Sequence, residues 1–126
     1  IKFYIQNSKN SGLEGMAVGK SSVEVPCGPL GPVLEDFFGD RGVNFFSLDV
    51  EGAEKLVLNT IDLSRVRVDV FMIEVENSNC KPKTDCLVRN QVRAHMEAAG
   101  YKRNSWLVRA SDVYVRANSS FASMMM

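Results

Sequence analysis

Acidic side chains are concentrated in one short segment that is well placed for chemistry. The segment is Ser47–Glu54, with the sequence SLDVEGAE, and it contains three carboxylates within six residues. Asp49 ends an apolar run of strand length, and a helical pattern begins directly after it. Ligands of open α/β sheets bind beyond the carboxyl ends of the strands. A carboxylate at this position can therefore orient a substrate hydroxyl or help to hold a divalent cation.

The same residues also have a structural interpretation. Glu51 and Glu54 would complement the positive N-terminus of the helix that follows, and Gly52 would permit a tight turn from strand to helix. Physical chemistry alone leaves the structural and the functional interpretations open.

A second acidic strand end lies further along the chain. The segment 66–76, with the sequence VRVDVFMIEVE, is β-branched and apolar through its middle and ends in Glu74 and Glu76. If the two strands are parallel neighbours, their acidic ends meet at one edge of the sheet. Two acidic strand ends side by side indicate a site that holds a divalent cation or orients a substrate hydroxyl.

Two other patterns do not support a catalytic site. Gly15–Ser21 resembles a phosphate-binding loop, but Glu14 stands where the first glycine is required, and the loop runs into Val23–Pro26 instead of a helix. We interpret it as a Gly/Ser-rich loop. His95 is the single histidine, and no motif places a serine or cysteine nucleophile near it, so a partly buried helix residue is the better interpretation.

Hydrophobic periodicity predicts the elements that would position these residues. They are a strand over 1–5, a loop over 6–22, a short extended piece at 23–25, a helix over 30–38, a strand over 43–50, a helix over 51–61, a strand over 66–76, a helix over 84–99, and a hairpin over 101–109 and 112–116. Helices that alternate with strands indicate an α/β fold with a mainly parallel sheet, which the hairpin finishes with antiparallel strands at one edge.

The apolar pattern also predicts which faces of these elements are buried. The run 43–50 lacks alternation, as expected of a strand that is buried on both faces. The predicted buried positions are Ala53, Leu56, Val57 and Thr60 on the helix over 51–61, and Val88, Val92, Met96 and Ala99 on the helix over 84–99. Arg93 and Glu97 stand four residues apart on the opposite side of the latter helix, which predicts a solvated ion pair.

Composition and charge exclude several classes of protein. Of the 126 residues, 45% are hydrophobic and 24% are charged, which excludes a disordered or collagen-like chain. Fifteen basic and fifteen acidic residues cancel, and the basic ones of the second half are scattered without interleaved aromatic residues, so we expect no nucleic-acid partner. No apolar run approaches the ~18 residues of a membrane-spanning helix. Cys27, Cys80 and Cys86 are too few and too irregular for a disulfide framework.

These residues resemble a known family. The segment 26–38, the strand, helix and strand over 43–76, and the GYK and DVYVR pieces near the C-terminus are similar to the C-terminal part of an FkbM-type methyltransferase domain. The most specific motif is the hexad DVEGAE (49–54) on a strand-to-helix turn, followed by a second apolar strand that ends in acidic residues. The resemblance covers residues 23–116.

The resemblance implies a Rossmann-like methyltransferase fold that uses S-adenosylmethionine, usually for O-methylation of a small-molecule or glycan hydroxyl. Segment 43–50 would be the fourth strand of that fold and segment 66–76 the fifth, and the closing hairpin would supply its reversed edge strand. Asp49, Glu51 and Glu54 match the family's hexad and are therefore the candidate catalytic residues, with Asp49 the first choice.

The front half of that fold is not recognisable in the sequence. The family's glycine-rich cofactor loop finds no counterpart, because the spacing of Gly12, Gly15 and Gly19 is different. We therefore expect the C-terminal half of the fold and no measurable affinity of this chain for S-adenosylmethionine, and the cofactor-binding residues stay unassigned. The expected organisation is a truncated front of the domain over 1–22, the methyltransferase part over 23–116 and a disordered tail over 117–126.

A looser resemblance implies a metal. In O-methyltransferases of the catechol type, an Asp at the end of strand four and an Asp-Asn pair after strand five bind magnesium. Asp49 and the pair Glu76 and Asn77 stand at similar places in this chain, with Glu replacing Asp. This resemblance implies an Mg²⁺ site formed by those three residues.

A non-enzymatic function is the alternative. The sequence is also similar to animal Star-type proteins, in which an FkbM-like domain on a membrane-anchored chain acts in secretory trafficking. That resemblance implies a membrane-anchored or lumenal location, with which the sequon at Asn118 and a pairing of Cys80 with Cys86 would agree. Without it, the default location is the cytoplasm. A membrane segment and a degraded glycine loop upstream would favour this alternative over the enzyme.

Overall fold

A computed structural model describes residues 2–5, 12–13, 21–75, 85–105 and 108–124 of the chain. In chain order the elements are β1 (Lys2–Ile5), β2 (Gly12–Leu13), β3 (Ser21–Glu24), α1 (Leu30–Phe38), β4 (Val43–Leu48), α2 (Glu54–Leu58), β5 (Val68–Glu74), α3 (Asp85–Ala98), β6 (Tyr101–Arg103) and β7 (Ser111–Arg116). Single 3₁₀ turns span Gly39–Arg41 and Ala122–Met124. Among the described helices, none has the length and apolar character needed to cross a membrane.

The larger sheet has four strands in the order β4-β5-β7-β6. β4 and β5 are parallel, and β7 is antiparallel to both of its neighbours, so β6 runs in the direction of β4 and β5. This mixed sheet, with helices between the parallel strands, confirms the predicted α/β class and the predicted hairpin. One expectation was wrong: the reversed strand lies between β5 and β6 and not at the edge, because β7 inserts between β6 and β5 when the hairpin folds back.

A second, smaller sheet forms near the N-terminus. Its three strands follow the order β2-β1-β3, and both pairings are antiparallel, with Phe3 opposite Leu13 and also opposite Val23. β2 and the first two residues of β3 fall inside the stretch 6–22 that the sequence predicted to be a loop. The prediction failed because two strand residues are too few to show a period of two, and backbone pairing does not depend on side-chain polarity.

The core combines residues of the larger sheet with residues of α1, α2 and α3. Val92 and Met96 of α3 are fully buried, as the periodicity of that helix predicts, whereas the predicted Ala99 is exposed beyond the end of the helix. Three aromatic rings contact one another edge to face: the centroids of Phe46 and Phe71, and those of Phe71 and Tyr101, are 5.5 Å apart. Such pairs are favoured by the ring quadrupoles in addition to the area they bury.

β4 departs from its prediction. The strand was expected to be buried on both faces, but Phe45 is 56% exposed and Ser47 is exposed as well, whereas Leu48 is buried. The reason is position: β4 is the outermost strand of the four-stranded sheet in the described part of the chain, with β5 as its one neighbour there. A nearly continuous apolar run therefore does not guarantee a central strand.

α2 departs from its prediction as well. Leu56 was expected on the buried side and is 50% exposed, whereas Leu58 is fully buried. The helix begins at Glu54 and not at residue 51, because Glu51 and Gly52 have φ angles of 52° and 96° and stand outside a right-handed helix. The late start excludes residues 51–53 from the predicted helix. Of the predicted buried positions, Ala53 is buried and Val57 packs against the core, whereas Leu56 is exposed.

Arg93 departs from its prediction too. It does not form a solvated pair with Glu97 but faces β7, where its Nε lies 2.6 Å from Oδ2 of Asp112 and one terminal nitrogen lies 3.0 Å from Oδ1. Asp112 is 1% exposed, and the hydroxyl of Tyr114 also donates to it. A carboxylate this deeply buried needs such partners. The pair fixes α3 against the start of β7.

α1 is held at its N-terminus by Thr60, which follows α2. Pro29, at the N-cap position, makes no side-chain cap, so the first backbone amides need another acceptor. The amide of Leu30 donates to Oγ1 of Thr60 (3.0 Å), and the amide of Gly31 donates to the carbonyl of Thr60 (3.1 Å). Thr60 therefore caps α1 from outside the helix.

This close approach gives a testable prediction at Gly31. A Cβ at Gly31 would lie 2.5 Å from the carbonyl oxygen of Thr60, a backbone atom that cannot move away freely, whereas a Cβ at Gly28 meets nothing within 4 Å. We expect Gly31→Ala to lower the free energy of unfolding by about 1–3 kcal/mol, despite the better helix propensity of Ala. Gly28→Ala is the control and should change it little. Equal urea midpoints for both variants would contradict the proposed role of Thr60.

Candidate active site

The ends of two neighbouring strands bring the acidic residues together. Leu48 of β4 pairs with Ile73 of β5 in parallel register, so the residues that follow them, Asp49 and Glu74, lie at the same edge of the sheet. One carboxylate oxygen from each of Asp49, Glu54 and Glu74 lies within 4.8 Å of the other two. The structure therefore unites two of the three candidate catalytic residues with a carboxylate from the next strand.

Glu54 has a defined structural task in this cluster. It is 2% exposed, and its Oε1 accepts hydrogen bonds from the backbone amides of Val50 (3.0 Å) and Gly52 (3.2 Å). These amides precede α2 and would otherwise lack acceptors, so a carboxylate that accepts from both holds the turn closed. We call this arrangement the Glu54 clamp. It positions the turn that carries Asp49 and Glu51.

Glu51 occupies an unusual backbone conformation. Its φ of 52° lies in the left-handed region, as does the φ of 96° at Gly52. Glycine adopts this region freely, but a residue with a Cβ is strained there by about 1 kcal/mol or more. The Glu54 clamp contacts the backbone on both sides of Glu51 and can hold this conformation. The half-buried Glu51 side chain also contributes negative charge near Glu74.

Glu74 has a pKa well above the ordinary value of a glutamate. Its pKa is raised from 4.5 to about 7, first because it is partly buried, and then because of a hydrogen bond and charge repulsion with Asp49. The negative charges of Glu51 and Glu54 raise the pKa further. Protonated Glu74 donates to the Asp49 carboxylate, which is exposed to solvent. Near neutral pH, Glu74 therefore takes up and releases a proton readily.

The predicted magnesium site lies only partly within the described residues. Glu76 and Asn77, the predicted magnesium ligands after the second strand, lie outside the described residues. The residue that the structure places beside Asp49 is Glu74, which the sequence had marked as part of a cation-binding strand end but not as a member of the magnesium set Asp49, Glu76 and Asn77. The register of β4 and β5 was the missing information, since the pairing of Leu48 with Ile73 selects Glu74.

The chemistry available to this cluster follows from its donor set. Three carboxylates offer only oxygen atoms, which suit hard divalent cations such as Mg²⁺, Ca²⁺ or Mn²⁺. A carboxyl group with a pKa near 7 also suits the transfer of a proton to or from a hydroxyl group at physiological pH. The cluster is thus equipped for proton transfer or for cation binding at the end of the sheet.

The raised pKa of Glu74 predicts how stability depends on pH. Between pH 4.5 and about 7, the folded chain keeps a proton on Glu74 that the unfolded chain has released. The stabilisation from this group is therefore complete below pH 4.5 and is lost as the pH rises through about 7. The glutamine of the variant Glu74→Gln cannot ionise and therefore avoids this loss. The unfolding free energy of the variant, minus that of the unmodified chain, should increase as the pH rises from 4.5 to about 7. Urea unfolding between pH 5 and 8, without divalent cations, measures the difference, and parallel pH profiles would contradict the prediction.

Comparison with known proteins identifies the family. The family model described as the methyltransferase FkbM domain matches residues 3–103. These include both parallel strands and the turn over 49–53 between β4 and α2, which we call the acidic turn. No curated protein and no solved structure matches the chain significantly. The family that the hexad at 49–54 indicated is thereby confirmed: the chain belongs to the FkbM methyltransferase domain family.

Proposed function

We propose that this domain serves O-methyl transfer, with Asp49 and Glu74 acting on the hydroxyl group that receives the methyl. The proposal rests on one observation: these two carboxylates lie close together at the carboxyl ends of β4 and β5, where Glu74 has a pKa of about 7. Membership of the FkbM family supports methyl transfer as the reaction class. We infer a small-molecule or glycan hydroxyl as the acceptor.

The two carboxylates would act through the proton of the acceptor. Methyl transfer forms a bond between the acceptor oxygen and the methyl carbon while the bond from that carbon to the donor sulfur breaks, and the hydroxyl proton must leave. The Asp49–Glu74 pair can take up this proton, because one carboxyl of the pair is half-ionised near neutral pH. A base with a pKa near the working pH combines a useful ionised fraction with useful basicity.

The methyl donor that the family suggests is S-adenosylmethionine. A mixed sheet in the order β4-β5-β7-β6 is compatible with the C-terminal half of a Rossmann-like methyltransferase fold, with β4 as its fourth strand and β5 as its fifth. We propose this correspondence. We propose that the ends of β4 and β5 form the acceptor side of the site, and we assign none of the described residues to the cofactor.

A divalent cation is the second candidate for activating the acceptor, and the donor set favours it. Asp49 and Glu74 would hold the ion, and one carboxylate oxygen of Glu54 lies within 4.8 Å of an oxygen of each of them. Bound Mg²⁺ would supply a positive charge that lowers the pKa of the acceptor hydroxyl. The set formed by Asp49, Glu76 and Asn77 remains part of this proposal, since two of its members lie beyond the described residues.

Glu51 and Glu54 are assigned different roles. Glu54 is a positioning residue, because its carboxylate holds the backbone of the acidic turn. Glu51 is kept in a strained conformation on that same turn, and we propose that its side chain faces the bound acceptor. Strain that a structure maintains at a strand end is typical of functional sites.

Activity assays test the proposed function directly. Transfer of a radiolabelled methyl group from S-adenosylmethionine to hydroxyl-bearing acceptors would be measured with the protein as encoded, whether or not it extends beyond these 126 residues. We expect Asp49→Asn and Glu74→Gln each to lower the rate roughly 100-fold or more, the usual scale for a general base. Asp36→Asn, at an exposed carboxylate of α1, is the matched control and should leave the rate unchanged.

Three outcomes of this assay separate the alternatives. Loss of transfer after chelation with EDTA, restored by Mg²⁺, would indicate that a bound cation activates the acceptor hydroxyl. It would argue against a mechanism in which the carboxylates alone take up the proton. Full activity in both site variants would contradict a catalytic role for the Asp49–Glu74 pair. Absence of transfer to every acceptor would contradict the enzyme and favour the non-enzymatic trafficking domain.

A further inference from the structure

A histidine–lysine contact joins α2 to α3 outside the acidic cluster. Lys55, the second residue of α2, places its Nζ 3.0 Å from Nδ1 of His95 in the last turn of α3. The same Nζ donates to Oδ1 of Asn59, the residue that caps the C-terminus of α2. Because a lysine ammonium group can only donate, Nδ1 of His95 must be unprotonated to accept, which puts the imidazole proton on Nε2. The contact therefore exists only while His95 is neutral.

In the described part of α3, no acidic residue stands three or four positions from His95. The residues three and four positions away from His95 are Gln91, Val92, Ala98 and Ala99, all uncharged. From α2, the charged group that faces the ring is Lys55. Burial first, and then the charge of Lys55, lower the pKa of His95 below its ordinary value of 6.5. Both causes disfavour the protonated ring.

We propose that the Lys55–His95 contact is a pH-sensitive latch that holds α2, and with it the Glu54 clamp on the acidic turn, against α3. Lys55 directly follows Glu54, so a shift of Lys55 moves the residue that closes the turn. Protonation of His95 replaces a hydrogen bond by two positive charges 3.0 Å apart, and the latch opens. The consequence for catalysis rests on the proposed function, but the latch itself does not.

The sign of the pH dependence follows from the direction of the pKa shift. The pKa of His95 is lower in the folded chain than in the unfolded one. The stabilisation from neutral His95 is therefore complete above pH 6.5 and is lost as the pH falls below 6.5 through the folded pKa. The acidic turn should loosen in mildly acidic solution and close at neutral pH.

NMR titration tests the latch without any activity measurement. His95 is the only histidine in the sequence, so its ring resonances need no assignment. Because Glu74 also titrates in this range, the experiment uses the full chain carrying Glu74→Gln. We expect a His95 midpoint below 6.5 and backbone amide shifts in α2 with the same midpoint. Lys55→Gln should move the midpoint upwards, whereas the matched control Lys102→Gln, at an exposed lysine of β6, should not.

Clear results would overturn the latch. A His95 midpoint at or above 6.5, a midpoint that Lys55→Gln leaves unchanged, or α2 amides that do not follow the histidine would each do so. If Lys55→Gln fails to fold, His95→Gln replaces it: this side chain accepts from Lys55 but does not titrate, so the α2 amides should lose their pH dependence. A working latch in a chain without methyl transfer would contradict the proposed function alone.

Discussion

The parallel pairing of β4 with β5 is the constraint on which the proposed site depends. Because Leu48 pairs with Ile73, both strands end at the same level, and Asp49 and Glu74 emerge side by side. A slip of one residue would turn every side chain of one strand to the other face and would separate the two carboxylates. The buried side chains of Leu48, Phe71 and Ile73 oppose such a slip, since they would exchange the core for solvent. Hydrophobic packing thus fixes the geometry of a polar site.

The acidic turn shows how the short helix α2 is attached to the paired strands β4 and β5. α2 has only five residues and could not persist alone in water. It is held through buried Leu58, through the Glu54 clamp at its start, and through the Thr60 contact with α1 after its end. Burial first, and then the negative charges of the turn, raise the pKa of Glu74, so the contacts that fix the fold also set the acidity of the site.

Much of this arrangement could be predicted from the sequence. The runs that became β4 and β5, the stripe of Val92 and Met96 on α3, and the acidic ends of both strands all have local signatures. What the sequence could not supply depends on contacts between distant residues. The exposure of Phe45 depends on the strand order, the pairing of Arg93 depends on the position of Asp112 in β7, and the choice of Glu74 depends on register. The late start of α2 depends on the left-handed conformation of Glu51, which favours glycine and is therefore not expected at a glutamate.

The central claim is that Asp49 and Glu74 are directly coupled at one strand edge. A double-mutant cycle with Asp49→Asn and Glu74→Gln, measured by urea unfolding at about pH 8.5 without divalent cations, tests it most directly; at that pH, above the pKa of about 7, Glu74 is charged. Each single variant removes the same repulsion, so the account predicts that the double variant gains less stability than the sum of the two, by more than about 0.5 kcal/mol. Effects that add within about 0.5 kcal/mol, as they do for residues without contact, would contradict it.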